Sequence, residues 1–249
     1  MDSPGSRPLL DGQVALVTGA SRGIGRAVAV RLARSGARGA ALFARTEADL
    51  RAVAAEVESA GSRAVVIPGD ARREEDVARA VATTVSELGR LHVLVINAGV
   101  GKYGPLEAFS AADYDWIMET NMRSTFLFAR HAVPHLKAQR SGHVVVIASV
   151  AGKKGLPHEA VYCASKHAQV GFAQALDHEL RPHGVKVSVI APGGVDTHFA
   201  FGTGRTPGDP RLRELLDADD VAAAVLFAVG QPPKSRILEI VMRPMAEPL

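Results

Sequence analysis

The stretch QVALVTGASRGIGRAVAVRLARSG, residues 13–36, decides the fold. Its apolar residues 14–17 predict a short strand, and residues 24–34 have the periodicity of a helix. Between them, Gly19, Gly23 and Gly25 are spaced G-x-x-x-G-x-G. Glycines permit a tight turn and the close approach of a pyrophosphate, which the free N–H groups of the helix N-terminus would bind. Three glycines alone indicate only a turn, but their place between a first strand and a helix predicts a dinucleotide site.

The residue after the second predicted strand indicates which dinucleotide is bound. Arg45 follows residues 40–44, about 20 residues beyond the glycine turn, where an acidic residue would favour NAD and an arginine favours NADP. Arg22 would supply a second cation to the 2′-phosphate of NADP. Glu47 is the nearest acidic residue, but it lies two positions beyond the place of an acid that favours NAD. The alternative is that Arg45 merely precedes a helix over residues 47–60. The charges predict NADP(H), with NAD(H) as the less favoured cofactor.

The alternation of strand and helix continues to the end of the chain. Further strands are predicted at residues 65–67, 91–96, 143–148, 185–190 and 237–241, and helices at 74–88, 111–137, 162–181 and 220–229. No change in composition interrupts the pattern, so we expect an α/β fold in one domain, a doubly wound parallel sheet flanked by helices. Asp70 ends a strand, where it would bond an adenine amino group or instead cap the next helix. Asn97, Ala98 and Gly99 form a turn at a strand end, where a cofactor lies against backbone.

Composition narrows the class of protein. The chain has 249 residues, 47% of them hydrophobic, and a formal net charge of +3 with the basic residues scattered, which argues against nucleic acid as a partner. Cys163 is the single cysteine, so no intrachain disulfide forms. The N-terminus does not have the pattern of a signal peptide, and no apolar run reaches the roughly 20 residues that span a bilayer. We expect a cytoplasmic protein with a flexible tail at residues 1–12 and a single domain at 13–249, with no metal site and no membrane contact.

A proton-transfer centre is predicted in SVAGKKGLPHEAVYCASK, residues 149–166. Tyr162 and Lys166 are four apart in a helical pattern, so both side chains face one site. A neighbouring cation would bring the pKa of a phenol, ordinarily about 10, closer to neutral pH. The hydroxyl of Ser149 would hold a carbonyl or alkoxide oxygen beside the phenol. The alternative, an ordinary half-buried tyrosine and a solvated lysine, has about even odds on this stretch alone.

Over nearly its whole length the chain resembles the short-chain dehydrogenase/reductase family. TGASRGIG, Asn97-Ala98-Gly99, Asn121, Ser149, Tyr162-x-x-x-Lys166 and Pro192-Gly193 occur in the family's order and approximate spacing. The resemblance implies a seven-stranded Rossmann fold, a nicotinamide cofactor and reversible carbonyl reduction. It implies that Tyr162 is the acid/base, Ser149 orients the substrate oxygen, Lys166 binds the nicotinamide ribose and lowers the pKa of the tyrosine, and Asn121 holds a water in a proton relay.

The predicted cofactor-binding residues follow from the turns and from the resemblance together. They are Gly19, Ser21, Arg22, Gly23, Ile24, Gly25, Arg45, Asp70, Ala71, Asn97, Ala98, Gly99, Tyr162, Lys166, Pro192, Gly193, Val195 and Thr197. The catalytic residues are Asn121, Ser149, Tyr162 and Lys166. Residues at about 198–217 are rich in Gly, Pro and Arg and predict a mobile substrate loop.

Two classes of function remain open. The first is an NADP(H)-dependent oxidoreductase that interconverts a carbonyl compound and a secondary alcohol, and the second is a catalytically weak protein that binds or senses the cofactor. Within the first, the family's 3-oxoacyl-carrier-protein reductases are the nearest type, but the C-terminal ILEIVMRPMAEPL departs from their glycine-rich ending.

Two helices predict self-association. Residues 161–180 and 111–137 carry more apolar residues than one stripe facing a sheet requires, for example Trp116, Ile117, Phe126, Leu127 and Phe128. A second copy would cover the excess, and members of the family often pair in this way, so we expect a homotetramer or a dimer. The alternative is that the excess residues face the loop at 198–216.

Overall fold

The structure is a computed structural model that describes residues 9–247. The strands, in chain order, are β1 (Val14–Thr18), β2 (Gly39–Ala44), β3 (Arg63–Pro68), β4 (Val93–Ile96), β5 (Gly142–Ile147), β6 (Val185–Pro192) and β7 (Glu239–Met242). The helices are α1 (Gly23–Arg34), α2 (Glu47–Ser59), α3 (Glu74–Leu88), α4 (Ala111–Met118), α5 (Ser124–Gln139), α6 (Ala160–Leu180) and α7 (Ala218–Val229). Each strand was predicted from the sequence to within two residues at either end.

All seven strands are parallel and form one sheet in the order β3-β2-β1-β4-β5-β6-β7. The chain moves outward from β1 to β3, then crosses back to place β4 on the other side of β1. The carboxyl ends of β1 and β4 therefore meet where the direction of winding reverses. In open α/β sheets this reversal leaves a crevice for ligands.

Helices cover both faces of the sheet. Ala15 and Val17 of β1 point to the face covered by α1, α2 and α7, whereas Val14 and Leu16 point to the face covered by α3, α5 and α6. All four side chains are buried. A sheet buried on both sides needs continuous apolar strands, which is why VALVT and VVVI carry no polar alternation.

One predicted helix differs from the expectation. Residues 111–137 were predicted as a single helix, but a π-helical turn at Glu119–Arg123 separates α4 from α5. Pro134 lies inside α5, which continues to Gln139. Single π turns inside helices are often found at functional sites, and this one carries Asn121.

Two segments predicted to be loose are more ordered than the sequence suggested. Within the loop predicted at 198–217, Pro210–Glu214 forms a short 3₁₀ helix and Val195 pairs with Leu216. In the predicted tail at 1–12, residues 1–8 lie outside the described residues, while Leu10 is buried and donates its N–H to Ser35. Across residues 9–247, none of the helices has both the length and the apolarity to cross a membrane.

Candidate active site

A cleft of about 700 Å³ opens at the carboxyl ends of the strands. The turns that follow β1, β2, β3, β4, β5 and β6 all contribute to its walls. Because parallel strands end at one edge of the sheet, residues far apart in the sequence converge there. Of the predicted cofactor-binding residues, all but Gly25 line this cleft, and of the predicted catalytic residues, all but Asn121.

The glycine turn after β1 has a shape that larger residues would not allow. Gly19 and Gly23 have φ angles of +64° and +53°. A Cβ on Gly19 would lie 2.9 Å from Nδ2 of Asn97, which donates to the carbonyls of Thr18 at 3.0 Å and Gly19 at 3.3 Å. Helix α1 begins at Gly23 with no acidic residue in its first turn. The free N–H groups at this helix N-terminus fit a pyrophosphate.

Gly25 has a packing role that differs from the predicted cofactor contact. It is buried behind the turn, and a Cβ there would lie 2.2 Å from the carbonyl oxygen of Gly19 and 2.7 Å from Nδ2 of Asn97. The absence of a side chain lets α1 approach the end of β1 closely. Gly25 thus maintains the shape of the glycine turn by allowing α1 to pack closely against it.

The end of the cleft next to β2 and β3 is rich in arginine. Arg22 and Arg45 line it as exposed side chains, and within residues 9–247 neither has a hydrogen-bonding or ion-pair partner. Asp70, predicted to bond an adenine, instead holds the guanidinium of Arg72, with Nη2 and Oδ2 2.6 Å apart. That hydrogen bond lowers the pKa of Asp70. Two unpaired guanidinium groups at this end fit the 2′-phosphate of NADP.

Ser149 and Tyr162 are brought together by β5 and α6. Ser149 lies two residues after the end of β5, and its Oγ accepts a hydrogen bond from the N–H of Ala151 at 3.1 Å. Ser149 and Tyr162 both line the cleft. Burial raises the pKa of Tyr162 above its ordinary value, while the neighbouring Ser149 side chain acts in the opposite direction. The phenol is therefore a protonated donor in this structure.

Lys166 lies in a desolvated environment next to Tyr162. It is only 4% exposed, and desolvation lowers its pKa to about 7. Nζ donates to Oε1 of Gln169 at 2.8 Å and to the carbonyl of Ile147 at 3.2 Å, and lies 5.7 Å from the centroid of the Tyr162 ring. That Lys166 lowers the pKa of Tyr162 stays a prediction. In the structure that pKa is raised, because burial of the phenol outweighs the contacts that lower it.

Asn121 lies behind the cleft, fully buried in the π turn. Its side chain accepts from the N–H of Val100 at 2.8 Å and donates to the carbonyl of Val100 at 2.9 Å and to Oγ of Ser165 at 3.0 Å. These bonds tie the turn after β4 to α6. The main-chain carbonyl of Asn121 accepts from Thr125 at 2.7 Å and from Gln169 at 3.0 Å, and the water that the resemblance implies at Asn121 stays a prediction.

Aromatic side chains surround Tyr162 on the substrate side. The rings of Tyr103 and Phe199 each have centroids 5.8 Å from that of Tyr162. Leu156 packs in the same cluster. Sequence analysis did not name these residues, although Phe199 falls in the predicted substrate loop. They make this part of the cleft apolar and able to hold a flat ring.

No sequence pattern identified Glu159, Arg205 and Glu247, three charged residues that also line the cleft. Burial raises the pKa of Glu159 to about 7, Arg205 lowers it, and Glu247 raises it. Arg205 donates to the carbonyl of Val195 at 2.8 Å, and Glu247 accepts from the N–H of Gly194 at 2.7 Å. Glu247 lies after β7, in the C-terminal stretch ILEIVMRPMAEPL. Only its position in the fold reveals it, because residues 193–195 and 247 are far apart in the sequence.

Comparison with known proteins agrees with this geometry. A family model described as short chain dehydrogenase matches residues 13–206. A sepiapterin reductase of Chlorobaculum tepidum is 32% identical over 237 residues, which cover 93% of this chain and 96% of that protein. A hydroxynaphthalene reductase-like protein of Metarhizium majus is 38% identical over 189 residues, or 76% and 70% of the two chains. A metagenomic short-chain oxidoreductase solved in complex with NADP is 36% identical with a TM-score of 0.82, covering 96% of this chain and all (100%) of that one. The chain therefore belongs to the short-chain dehydrogenase family of oxidoreductases.

Proposed function

We propose that this protein is an NADP(H)-dependent oxidoreductase that interconverts a carbonyl compound and a secondary alcohol. The observation that carries the proposal is the meeting of Ser149, Tyr162 and Lys166 on one wall of the cleft that begins at the glycine turn. Bound NADPH supplies a hydride to the carbonyl carbon. The chain's part is to orient the carbonyl oxygen and to protonate it.

Each of the three side chains has a separate task in this proposal. Ser149 and Tyr162, which line the same cleft, both reach the substrate oxygen. Tyr162 gives its hydroxyl proton to that oxygen in the reduction and takes it back in the oxidation. Lys166 supplies a buried N–H donor behind the phenol, which stabilises negative charge left on the phenolate oxygen. The proton that Tyr162 loses is then restored from solvent.

The preference for NADP(H) rests on charge. Arg22 and Arg45 form no ion pair with a carboxylate of residues 9–247, although Asp70 lies near enough for the charge of Arg45 to lower its pKa, and both arginines line the cleft. A related short-chain oxidoreductase was solved with NADP. A guanidinium binds a 2′-phosphate by paired, charge-assisted hydrogen bonds, whereas it gains little from the ribose hydroxyl of NAD.

The substrate we favour is a flat aromatic or bicyclic carbonyl compound. Tyr103 and Phe199 offer aromatic rings next to Tyr162. Two relatives are named as reductases of a pterin and of a hydroxynaphthalene, both bicyclic. A 3-oxoacyl thioester remains the second substrate class to be measured. The alternative to an active oxidoreductase is a catalytically weak protein that senses the cofactor. Measured turnover of a substrate decides between these two functions.

We also propose that the protein forms a homotetramer or a dimer. The structure assigns part of the apolar excess to the protein's own core, because Ile117, Leu127 and Phe128 are at most 2% exposed. Phe126 remains 44% exposed on α5, and Ala164 and Ala175 form an exposed small-residue face on α6. Such a face would allow close approach of a second copy across a two-fold axis.

The test of the proposed function is the consumption of NADPH with a panel of substrates. The panel contains bicyclic ketones, quinones, aldehydes and 3-oxoacyl thioesters. Tyr162→Phe should lower kcat on the best substrate by about 10²–10⁴-fold and leave the Kd for NADPH nearly unchanged. Tyr114→Phe, at an exposed tyrosine of α4, is the matched control and should behave as the wild type. Near-normal turnover by Tyr162→Phe would disprove the assigned role, and no turnover of any substrate would favour the sensing alternative.

A further inference from the structure

Gln169 is a fully buried polar side chain that the proposed chemistry does not use. It lies one helical turn after Lys166 on α6 and faces the π turn. Its Oε1 accepts from Nζ of Lys166 at 2.8 Å, and its Nε2 donates to the carbonyl of Asn121 at 3.0 Å and to Oγ1 of Thr125 at 2.7 Å. Both N–H groups of the amide are therefore paired. The amide can hold only this orientation, since a flip would point N–H groups at an ammonium.

The partners of Gln169 are themselves fixed. The carbonyl of Asn121 accepts from Oγ1 of Thr125 at 2.7 Å and from Nε2 of Gln169 at 3.0 Å, with Oγ of Ser124 at the longer distance of 3.5 Å. These side chains all reach a carbonyl that lies in the π turn. The connection from α5 to Lys166 therefore runs through the amide of Gln169.

Lys166 depends on few acceptors. Of its three N–H groups, one bonds Gln169 and a second bonds Ile147 at the longer distance of 3.2 Å. No carboxylate within residues 9–247 forms an ion pair with it. The groups that surround it are Tyr162 on α6, the Ile147 carbonyl on β5 and, after β4, Gly99, where a Cβ would lie 3.7 Å from Nζ. Gln169 thus accepts the shortest hydrogen bond of Lys166, which also lines the cleft.

We propose that Gln169 is a positioning residue that links the protonated side chain of Lys166 to the Asn121 carbonyl through its amide and sets the pH at which Lys166 loses its charge. An acceptor bonded to an ammonium stabilises the charged form, and in a desolvated site this contribution is large. The importance for catalysis rests on the proposed function. The effect on Lys166 does not, because it can be measured without turnover.

Two variants at Gln169 should move the titration of Lys166 in opposite directions. Gln169→Met keeps the volume and removes the acceptor, so the midpoint should fall by roughly one pH unit. Gln169→Glu places a carboxylate beside the ammonium, so the midpoint should rise by roughly one to two units. Thr84→Val removes a buried hydroxyl that bonds Ala80 at 2.7 Å in α3, and should leave the midpoint unchanged. A role limited to packing would not produce shifts of opposite sign.

The measurement is an NMR titration of the full chain with lysine labelled with ¹³C at Cε, in which the Lys166 signal is assigned by its loss in Lys166→Met. Opposite shifts in the two variants support the proposal, and shifts of one sign or none overturn it. If Gln169→Met does not fold by circular dichroism, Gln169→Glu decides, because an unchanged or lowered midpoint would contradict the proposal. Where a substrate is turned over, the pH profile of kcat should shift in parallel with the NMR midpoint. Opposite NMR shifts in a protein without turnover would reject the proposed function and keep the role of Gln169.

Discussion

Gly25→Ala tests whether the close packing of α1 against the glycine turn determines the conformation of that turn. The added Cβ would lie 2.2 Å from the carbonyl oxygen of Gly19 and 2.8 Å from its carbonyl carbon. Ordinary contact would require α1 and the turn to separate by about 1 Å, and overpacking of this kind costs about 1–3 kcal/mol. The higher helix propensity of alanine offsets about 0.5–1 kcal/mol of that cost. We expect a net loss of about 1–2 kcal/mol.

The loss should be visible in both stability and cofactor binding. For a chain of this size, it corresponds to a fall in Tm of roughly 2–8 °C in a thermal melt. Displacement of the turn should also weaken NADPH binding by at least about tenfold, measured by fluorescence titration. Gly155→Ala is the matched control, since its Cβ would meet no atom within 4 Å and its φ is not positive. It should melt at or slightly above the wild-type temperature.

The reasoning about Gly25 fails if Gly25→Ala melts and binds NADPH as the wild type does. A fall in Tm without any change in the Kd for NADPH would show that the packing is structural but does not shape the phosphate site. A fall in affinity alone would place the effect in the turn and not in the helix contact.

Three further predictions concern cofactor choice, pH and assembly. Arg45→Asp should weaken the binding of NADPH by about 2–4 kcal/mol and weaken the binding of NADH less. The control Arg90→Asp, which is remote from the cleft, should change the affinity for neither cofactor. Equal losses for both cofactors would show that Arg45 has a structural role. Because the folded pKa of Glu159 is raised from 4.5 to about 7, its ionisation destabilises the fold as pH rises through that window. Glu159→Gln should therefore exceed the wild type in urea stability by about 1 kcal/mol at pH 8, an advantage that disappears below about pH 5, and no gain at pH 8 would contradict the assignment. In sedimentation equilibrium, Ala175→Arg should lower the measured mass toward that of the 26.2 kDa chain, whereas the control Ala52→Arg on α2 should not. A wild-type protein that sediments as a monomer would contradict the proposed assembly.

The parts of the fold that sequence predicted are those with a local signal. Gly19 and Gly23 are spaced for a turn, the buried strands are uninterrupted apolar runs, and Tyr162 and Lys166 are one helical turn apart. Each of these patterns reports on a backbone conformation within a few residues. The placement of these groups around one cleft then follows from the topology of a parallel sheet.

The features that sequence did not predict depend on contacts between distant segments. Nothing near Gln169 indicates that its amide meets the carbonyl of Asn121, 48 positions earlier. Glu247 reaches Gly194 across 53 positions, and Glu159 acquires its raised pKa from burial by other segments. The expectation that Lys166 lowers the pKa of the tyrosine considered charge alone. The structure adds desolvation, which acts on both groups and dominates.

The π turn at Glu119–Arg123 also fixes the rotational phase of the helix that follows it. One extra residue in a turn offsets every later side chain by about 100° relative to an uninterrupted helix. Deleting one residue from this turn would rotate α5 as a unit, moving Phe126 off the surface and Phe128 out of the core. It would also move the Asn121 carbonyl relative to Gln169, which donates to it at 3.0 Å. Substitutions can alter the exposed face of α5 at Phe126 or the buried hydrogen bond between Gln169 and Asn121 separately. A change in chain length at the π turn alters both at once.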